Sequence, residues 1–482
     1  MTQHAYLMLI DGKLVPALSG EAAQSRDPYT GAVVGAYPDG AAEDVDLAVK
    51  AAVSAFESSG WATDVALRIR CLRSLADLIE ANVTEFALLE SSDNGKPIRE
   101  VSGSIAKSPQ WYRYAASVAE TFPFTSPLGA DPSVVSLTVR EPYGVVGVQV
   151  PWNSPSVLLA QIASMCLAAG NTVVIKPSEM APCSLLALAE LFADAGFPNG
   201  VVNVVSGDGA SVGAALCDHP DVARLAFTGG PQAGRIVAGK GAERLVPSTL
   251  ELGGKSANLV FPDADLERAV EAIAAGILSS SGQSCVAGSR AVVHIDVFDE
   301  VRERVEAAVG GARVGDPRDP TTDVGPLISA AQCEYVAGLV ESARVAGGRV
   351  VEAAGVRELG GNFYPPTVVS GVPADADIAQ KEVFGPVLVC LPATSEAEAV
   401  RIANDTRYGL AAGVWTRDLS RAFRVSQRLH AGSVWVNQYR RTDPAFPFGG
   451  YGESGYGRVS GIDGFMEMTR VKSIQMKISD ES

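Results

Sequence analysis

Short apolar segments alternate with longer helical segments through residues 144–252. The short segments are rich in valine and predict buried β-strands, while the longer ones, which end at Gly170 and Gly196, predict helices. Strands that alternate with helices indicate a doubly wound parallel sheet with ligand sites at the carboxyl ends of its strands. The predicted strands are Gly144–Val150, Thr172–Lys176, Val201–Val205, Val222–Thr228 and Ser248–Leu252, and the first three helices are Ser156–Ala169, Cys183–Ala195 and one that begins near Ala210.

The alternation continues beyond residue 252 and predicts a second α/β region. Apolar residues recur at helical spacing from Leu266 to Ile277, and this helix is expected to end near Gly282. Cys285 then falls on the loop before a predicted strand, Ala291–Ile295. The closing residues, Val471–Ser479, alternate and suit an edge strand, which often pairs with another subunit. Further strands are predicted at Val387–Leu391 and Ser433–Val436, and residues 41–119 are expected to be mostly helical.

The composition favours a globular protein and disfavours polyanionic partners. Hydrophobic residues make up 47% of the 482 positions, and the formal net charge is −16. An acidic surface argues against nucleic acids and anionic membranes as partners. The N-terminal apolar run is too short for a signal peptide, and no run approaches the roughly 20 residues that span a bilayer. We therefore expect a cytoplasmic protein.

The cysteines and histidines argue against a disulfide framework and against a metal site. The chain has seven cysteines and four histidines, and neither a CxxC nor an HxxxH spacing occurs. An odd number of unpaired thiols is typical of a reducing compartment. We therefore expect no catalytic metal.

Three residues are candidates for catalysis. Cys285 in GQSC offers a nucleophilic thiolate, Glu251 in LELGGKS offers a general base, and Asn153 in PWNSP can donate to an oxyanion. Each also has an ordinary structural explanation: a buried cysteine, an ion-paired glutamate and an asparagine in a turn. Taken singly, the three motifs leave these alternatives open.

A second group of residues suits a dinucleotide. Lys176 and Glu179 in KPSE follow a predicted strand and can bind ribose hydroxyls. Gly229 and Gly230 in FTGG precede a predicted helix, where glycine lets a phosphate approach the helix N-terminus. Gly209 belongs to GDGASVG, which only approximates the GxGxxG pattern and is a weak signal by itself.

Together these motifs are similar to those of the aldehyde dehydrogenase superfamily. The resemblance runs from about Gly12 to the C-terminus, and several specific motifs in one order make coincidence very improbable. In chain order they are NGKP (residues 94–97), PWNSP, KPSE, FTGG, LELGGKS, GQSC, EVFGPV (residues 382–387) and PFGGYGESGYGR (residues 447–458).

The resemblance implies an NAD-dependent, hydrolytic oxidation, with NADP as a possible alternative. Cys285 would attack the aldehyde, Asn153 and the Cys285 backbone N–H would hold the oxyanion, and Glu251 would activate the water that hydrolyses the thioester. A homodimer or homotetramer is expected, with an aldehyde as the small-molecule partner. The implied dinucleotide-binding residues are Trp152, Lys176, Glu179, Gly209, Gly229, Gly230, Leu252, Glu382 and Phe384.

The implied fold is α/β, with a Rossmann-like doubly wound cofactor domain and a second α/β catalytic domain. Residues 1–122 and 143–252 would form the cofactor domain, and residues 253–463 the catalytic domain. Residues 123–142 and 464–482 would form a small β element for bridging and oligomerisation.

The sequence departs from the family pattern at several positions. Gly230 stands where the family usually has serine, Gln161-Ile162 where many members have Trp-Lys, and Val459 where many have glutamate. The last two positions can assist proton transfer in those relatives, so the path of water activation stays open. Three other functions compete with this one: a non-catalytic dinucleotide-binding protein, against which the three catalytic candidates argue; a cysteine esterase or acyltransferase, which the dinucleotide motifs disfavour; and a CoA-acylating member of the family, against which Glu251 argues.

The arginine pair Arg440-Arg441 is the candidate for substrate recognition. It precedes PFGG, in a loop that borders the aldehyde entrance in the family. A guanidinium there could pair with a carboxylate or another polar group on the substrate. The alternatives are a solvated charge pair or a subunit contact.

Overall fold

The computed structural model describes residues 4–129 and 133–478. The N-terminal part of the described residues contains two hairpins followed by five helices. The helices confirm the prediction that residues 41–119 are mostly helical. The elements are β1 (Met8–Ile10), β2 (Lys13–Val15), β3 (Ala22–Arg26), β4 (Val33–Pro38), α1 (Ala42–Ser58), α2 (Val65–Ala81), α3 (Val83–Asn94), α4 (Ile98–Lys107) and α5 (Pro109–Thr121), followed by β5 (Thr125–Leu128) and β6 (Val134–Pro142).

The next segment alternates strand and helix as predicted. Its strands are completely buried at their centres, which explains their near-continuous apolar sequences. The elements are β7 (Val145–Val150), α6 (Pro155–Ala168), β8 (Thr172–Pro177), α7 (Cys183–Asp194), β9 (Val202–Val204), α8 (Ala214–Asp218), β10 (Val222–Thr228), α9 (Pro231–Glu243) and β11 (Ser248–Glu251).

These strands build an eight-stranded sheet, completed by β21 (Gly455–Tyr456) from near the C-terminus. The strand order is β2-β1-β9-β8-β7-β10-β11-β21. The five strands from β9 to β11 in that order run parallel, and β1 and β21 pair antiparallel to their neighbours. The predicted doubly wound parallel sheet is therefore confirmed.

A second sheet of seven strands lies in the following segment. Its order is β14-β15-β16-β13-β12-β18-β19, and every pair except β14–β15 is parallel. The predicted second α/β region is thus confirmed. Its elements are β12 (Ala257–Val260), α10 (Leu266–Leu278), β13 (Arg290–His294), α11 (Phe298–Gly310), α12 (Ala330–Val345), β14 (Arg349–Glu352), β15 (Thr367–Ser370), α13 (Asp377–Gln380), β16 (Val387–Ala393), α14 (Glu396–Asn404), β17 (Tyr408–Gly409), β18 (Ala411–Trp415), α15 (Leu419–Arg428) and β19 (Ser433–Val436).

The C-terminal strand forms the edge of a small third sheet. After β20 (Tyr451–Gly452), β21 and α16 (Gly461–Glu467), strand β22 (Thr469–Lys477) pairs antiparallel with β6, which also pairs with β5. Val471 and Met476 on β22 are about half exposed. The predicted edge strand is confirmed, while its pairing with another subunit stays a prediction, as do the domain boundaries. Ser479, the last residue of that prediction, lies outside the described residues.

Two local predictions needed correction. Strand β11 ends at Glu251 instead of Leu252, because the Leu252 N–H donates to the Ser454 carbonyl. The helix expected from Ala210 begins as a five-residue π-helix, Gly209–Gly213, before α8. Within the described residues, no helix is long and apolar enough to cross a membrane.

The turn that precedes the Cys285 loop has an unusual backbone. Helix α10 ends at Leu278, and Ser280, Ser281 and Gly282 then take left-handed conformations with φ of 55°, 54° and 73°. Such conformations are costly for serine and persist only where the surrounding structure imposes them. Here the Ser280 N–H donates to the Glu100 carboxylate at 2.8 Å, and the Ser281 hydroxyl donates to the Gly325 carbonyl at 3.0 Å.

Gly282→Ala is expected to lower the free energy of unfolding by at least about 2 kcal/mol. A Cβ at this position would lie 2.0 Å from the Gly385 carbonyl oxygen, so backbone atoms would have to move. Thermal unfolding measures the effect. Gly239→Ala, in the interior of α9 with open space around it, is the matched control and should be neutral or stabilising. Equal melting temperatures for the two variants would contradict the account of this turn.

Candidate active site

A cleft of about 500 Å³ lies at the carboxyl ends of β7, β8 and β10. This is the position that a doubly wound sheet provides for a ligand. The cleft brings together six of the predicted dinucleotide-binding residues: Trp152, Lys176, Glu179, Gly209, Gly229 and Gly230.

Lys176 and Glu179 form an ion pair at the edge of this cleft. The Lys176 ammonium lies 2.8 Å from the Glu179 carboxylate. Lys176 is buried, whereas the Glu179 side chain is 42% exposed. A fixed donor beside an accessible acceptor suits vicinal hydroxyls, which need both. Gly230 is the residue before α9, and Pro231 occupies the first turn, so the helix N-terminus faces the cleft without a side chain in front of it.

The other three predicted dinucleotide-binding residues lie around the link between the two sheets. Glu382 accepts a hydrogen bond from the Gly254 N–H at 3.1 Å, and burial raises the pKa of its carboxyl to about 7. Phe384 has a φ of 52°, and its ring contacts the Trp152 ring edge-on at 5.5 Å between centroids. Leu252 is buried in the core beneath α9 and packs against Gly234, so it does not line the cleft.

Cys285 lines a separate cavity of about 310 Å³, together with Asn153. The Asn153 amide donates one hydrogen bond, at 3.0 Å, to the carbonyl of Gln283, two residues before the cysteine. Its amide nitrogen carries a second proton for another acceptor. The sequence places these residues 132 positions apart, and the loops after β7 and before β13 bring them to one cavity.

The thiol of Cys285 is protonated at neutral pH. Burial, together with the charges of Glu382 and Glu251, raises its pKa to about 12, while the charge of Arg440 acts in the opposite direction. A thiolate is the reactive form of cysteine. The thiol therefore needs a proton acceptor, or a change in its surroundings, before it can attack.

Glu251 is a buried carboxyl group without a hydrogen-bond partner. Neither of its side-chain oxygens has one among the described residues. Burial raises the pKa of this carboxyl well above its usual value, and Arg458 opposes the shift. A carboxyl with a raised pKa is a stronger base when it ionises, which is what a general base near neutral pH requires.

Gly253 and Gly254 allow these groups to approach one another. They connect β11 to β12, and therefore the first sheet to the second. A Cβ on Gly253 would lie 1.9 Å from the Glu382 carboxylate, and a Cβ on Gly254 would lie 2.8 Å from the Cys285 carbonyl oxygen. A side chain at Gly253 would displace the Glu382 carboxylate, and one at Gly254 would press on the backbone of Cys285.

The two arginines predicted for substrate recognition, Arg440 and Arg441, line different cavities. Arg440 lines the Cys285 cavity, with Nη2 at 3.4 Å from the hydroxyl of Ser284. Arg441 lines a neighbouring cavity of about 650 Å³, and its carbonyl accepts a hydrogen bond from the Trp435 indole at 2.9 Å.

Comparison with known proteins identifies the family. The sequence pattern of the Aldehyde dehydrogenase family matches residues 15–474. The chain belongs to the aldehyde dehydrogenase family. This resemblance was predicted from the motifs, and it is confirmed over almost the whole chain.

Several relatives share nearly the full length of this aldehyde dehydrogenase. The (Z)-2-((N-methylformamido)methylene)-5-hydroxybutyrolactone dehydrogenase of Acinetobacter baylyi is 42% identical over 95% of this chain and 94% of its own. The mitochondrial aldehyde dehydrogenase family 2 member B4 of Arabidopsis thaliana is 42% identical over 97% and 87%, respectively. An NAD⁺ complex of the Bacillus cereus aldehyde dehydrogenase superposes with a TM-score of 0.96 at 40% identity, covering 99% of this chain and 97% of that one.

Three of the departures from the family pattern, Gln161, Ile162 and Val459, lie in buried positions, whereas Gly230 is exposed before α9. Ile162 and Val459 are each 2% exposed and belong to the core around α6. Val459 also exchanges two backbone hydrogen bonds with Phe448. Neither residue can carry a proton, so these positions take no part in proton transfer in this aldehyde dehydrogenase. Gln161, by contrast, lines both the Cys285 cavity and the Arg441 cavity.

Lys96 and Trp111 are the main cavity residues that the sequence did not identify. Both line the Cys285 cavity. The Lys96 ammonium donates to the Ser154 hydroxyl at 2.9 Å, and burial lowers its pKa. Lys96 was visible within the NGKP motif, whereas no pattern in the sequence distinguishes Trp111 from an ordinary core aromatic residue.

Replacing Glu251 with glutamine is expected to stabilise the protein increasingly as pH rises. A carboxyl whose pKa is raised by folding favours the folded state at low pH, and this contribution is lost as pH rises through the folded-state pKa. The neutral amide avoids that loss. The difference in unfolding free energy should grow by at most about 1.4 kcal/mol per pH unit above about pH 5.

Thermal unfolding of wild type and Glu251→Gln across this pH range measures the difference. Glu57→Gln, an exposed change on α1, is the control and should show no such trend. A pH-independent difference for Glu251→Gln would mean that its carboxyl is ionised in the folded protein.

Proposed function

We propose that this chain oxidises an aldehyde to a carboxylic acid through a covalent intermediate on Cys285, with NAD⁺ as the hydride acceptor and NADP⁺ as the alternative. The observation that carries the proposal is the position of Cys285 in a cavity shared with Asn153, next to a cleft built for a dinucleotide. An aldehyde panel assayed with each dinucleotide, by the absorbance of reduced nicotinamide, tests it.

Lys176 and Glu179 would hold the hydroxyls of the adenine ribose. The N-terminus of α9 at Gly229 and Gly230 would face the phosphates, since backbone N–H groups there favour anions. Glu382 would hold the second ribose, with Phe384 and Trp152 beside it. When bound, the nicotinamide supplies a hydride acceptor. The exposed Glu179 carboxylate supports NAD⁺ over NADP⁺, because it would repel a 2′-phosphate.

Cys285 begins the reaction by attacking the aldehyde carbon. Its proton leaves before or during this attack, because the thiolate is the reactive form of cysteine. The resulting oxyanion would lie against the Asn153 amide and the Cys285 backbone N–H. Donors fixed before the reaction stabilise such an oxyanion at little reorganisation cost.

Glu251 then serves the hydrolysis of the thioester. A deprotonated Glu251 can remove a proton from water as the water attacks the acyl carbon. Its two free oxygens carry no hydrogen bond that would have to break. Because Ile162 and Val459 cannot relay a proton, Glu251 would exchange its proton through water.

The third sheet suggests how the chain assembles. The half-exposed Val471 and Met476 on edge strand β22 favour pairing with another copy, as in a homodimer or homotetramer. All seven cysteines are free thiols, which supports a reducing compartment such as the cytoplasm.

Cys285→Ser is expected to abolish turnover while dinucleotide binding survives. A serine hydroxyl is far less ionised than a thiol in this buried setting. Cys333→Ser, which changes the other partly exposed thiol, is the control and should retain activity. Turnover near the wild-type rate in Cys285→Ser would refute the assignment of the nucleophile.

Glu251→Gln is expected to accumulate an acyl-enzyme. Loss of a general base costs roughly 10²–10⁴-fold in rate, so a burst of reduced dinucleotide should be followed by very slow turnover. Mass spectrometry of protein quenched after the burst should show the acyl group on Cys285. Unmodified protein with slow formation of reduced dinucleotide would mean that Glu251 acts in the formation of the acyl-enzyme and not in its hydrolysis.

A further inference from the structure

The Cys285 cavity carries an excess of positive charge. Its lining includes four basic side chains and a single acidic one, in a protein whose net charge is −16. The acidic residue, Glu100, is engaged by the Ser280 N–H. The basic residues are Lys96, Arg99, Lys107 and Arg440.

These four basic side chains differ in their hydrogen-bond and ion-pair partners. Lys96 donates to Ser154, and Arg99 pairs with Asp323 at 3.0 Å. Arg440 and Lys107 form no ion pair within residues 4–129 and 133–478. Lys107 is exposed, whereas Arg440 is half-buried. A half-buried guanidinium without an acidic partner beside the nucleophile calls for an explanation, because desolvating it is costly.

Arg440 is also fixed in an unusual conformation. Its φ is 61°, which is rare for a residue with a side chain. Its Nη1 is buried without a hydrogen-bond partner among the described residues, and its Nη2 makes one long contact with Ser284. The strained backbone therefore holds a guanidinium with unused donors in the cavity that contains Cys285.

We propose that Arg440 binds a carboxylate on the far end of the aldehyde, so that the preferred substrates are short semialdehydes. This inference rests on the proposed oxidation at Cys285. A guanidinium presents donors in a planar fork that matches a carboxylate, and such a pair is stronger than one between neutral groups. Lys107 and Arg99 at the same cavity add an attraction for the anion as it approaches.

Arg440 also acts on the Cys285 thiol, and an experiment must separate this effect from recognition of the substrate carboxylate. Its charge lowers the pKa of the Cys285 thiol, so its removal should slow the oxidation of every aldehyde. That loss is independent of the substrate's far end. A ratio of kcat/KM values between two substrates cancels it and isolates the contact with the carboxylate.

The matched substrates are succinic semialdehyde, butanal and methyl 4-oxobutanoate. Butanal has the same number of carbons with a methyl in place of the carboxylate, and the methyl ester keeps the polar oxygens without the charge. The wild-type enzyme should prefer succinic semialdehyde in kcat/KM. Arg440→Gln should reduce this preference by about 10- to 100-fold over both neutral substrates. Arg440→Lys should keep part of it.

Arg441→Gln is the matched control, since it removes the same charge one residue along, in the neighbouring cavity. It should leave the preference unchanged. Equal losses on all three substrates in Arg440→Gln, or a preference that falls equally in both glutamine variants, would overturn the role of Arg440. Butanal oxidation without any preference for the semialdehyde would overturn the substrate class and leave the proposed oxidation intact. Failure to oxidise any of the three would count against the oxidation itself.

Discussion

The close packing of the Gly253-Gly254 link is the constraint on which the site depends. The link is the short covalent connection between the two parallel sheets, and it begins directly after Glu251 and Leu252. Because neither glycine has a side chain, the Glu382 carboxylate and the Cys285 carbonyl both lie against its backbone. A larger residue at either position would push the Glu382 carboxylate or the Cys285 loop away from this link.

The electrostatics of the resting site follow from that packing. The charges of Glu251 and Glu382 both act on the Cys285 thiol, and burial raises the pKa of all three groups. Burial disfavours an unpaired charge, so it favours the neutral forms of Cys285 and Glu251. The positive charge of Arg440 opposes the shift of the Cys285 pKa, and that of Arg458 opposes the shift of the Glu251 pKa. Neither arginine forms an ion pair with Cys285 or Glu251. The site thus keeps its acid and base groups close together at a limited electrostatic cost.

Much of this architecture could be predicted from the sequence, and the failures have physical causes. Strands β8 and β10 appeared as predicted, within a residue or two, because buried parallel strands need continuous apolar runs. The separation of Arg440 from Arg441 into two cavities was not predictable, because it depends on the backbone conformation of a loop that no motif encodes. Trp111 was missed for a similar reason: its place in the cavity arises from the packing of helices distant in sequence. The residues of the dinucleotide cleft, by contrast, follow the carboxyl ends of strands, where a doubly wound sheet places its ligand site.

The hydrogen bond between Glu382 and the Gly254 N–H has a consequence for the order of events. The negative charge of Glu382 contributes to the raised pKa of Cys285. A ligand that moves this carboxylate away from Cys285 would therefore make the thiol easier to deprotonate. By thermodynamic reciprocity, deprotonating the thiol must favour that ligand by the same free energy. Binding of such a ligand and deprotonation of the thiol would then be coupled, and the thiol would be least reactive towards stray electrophiles while that ligand is absent.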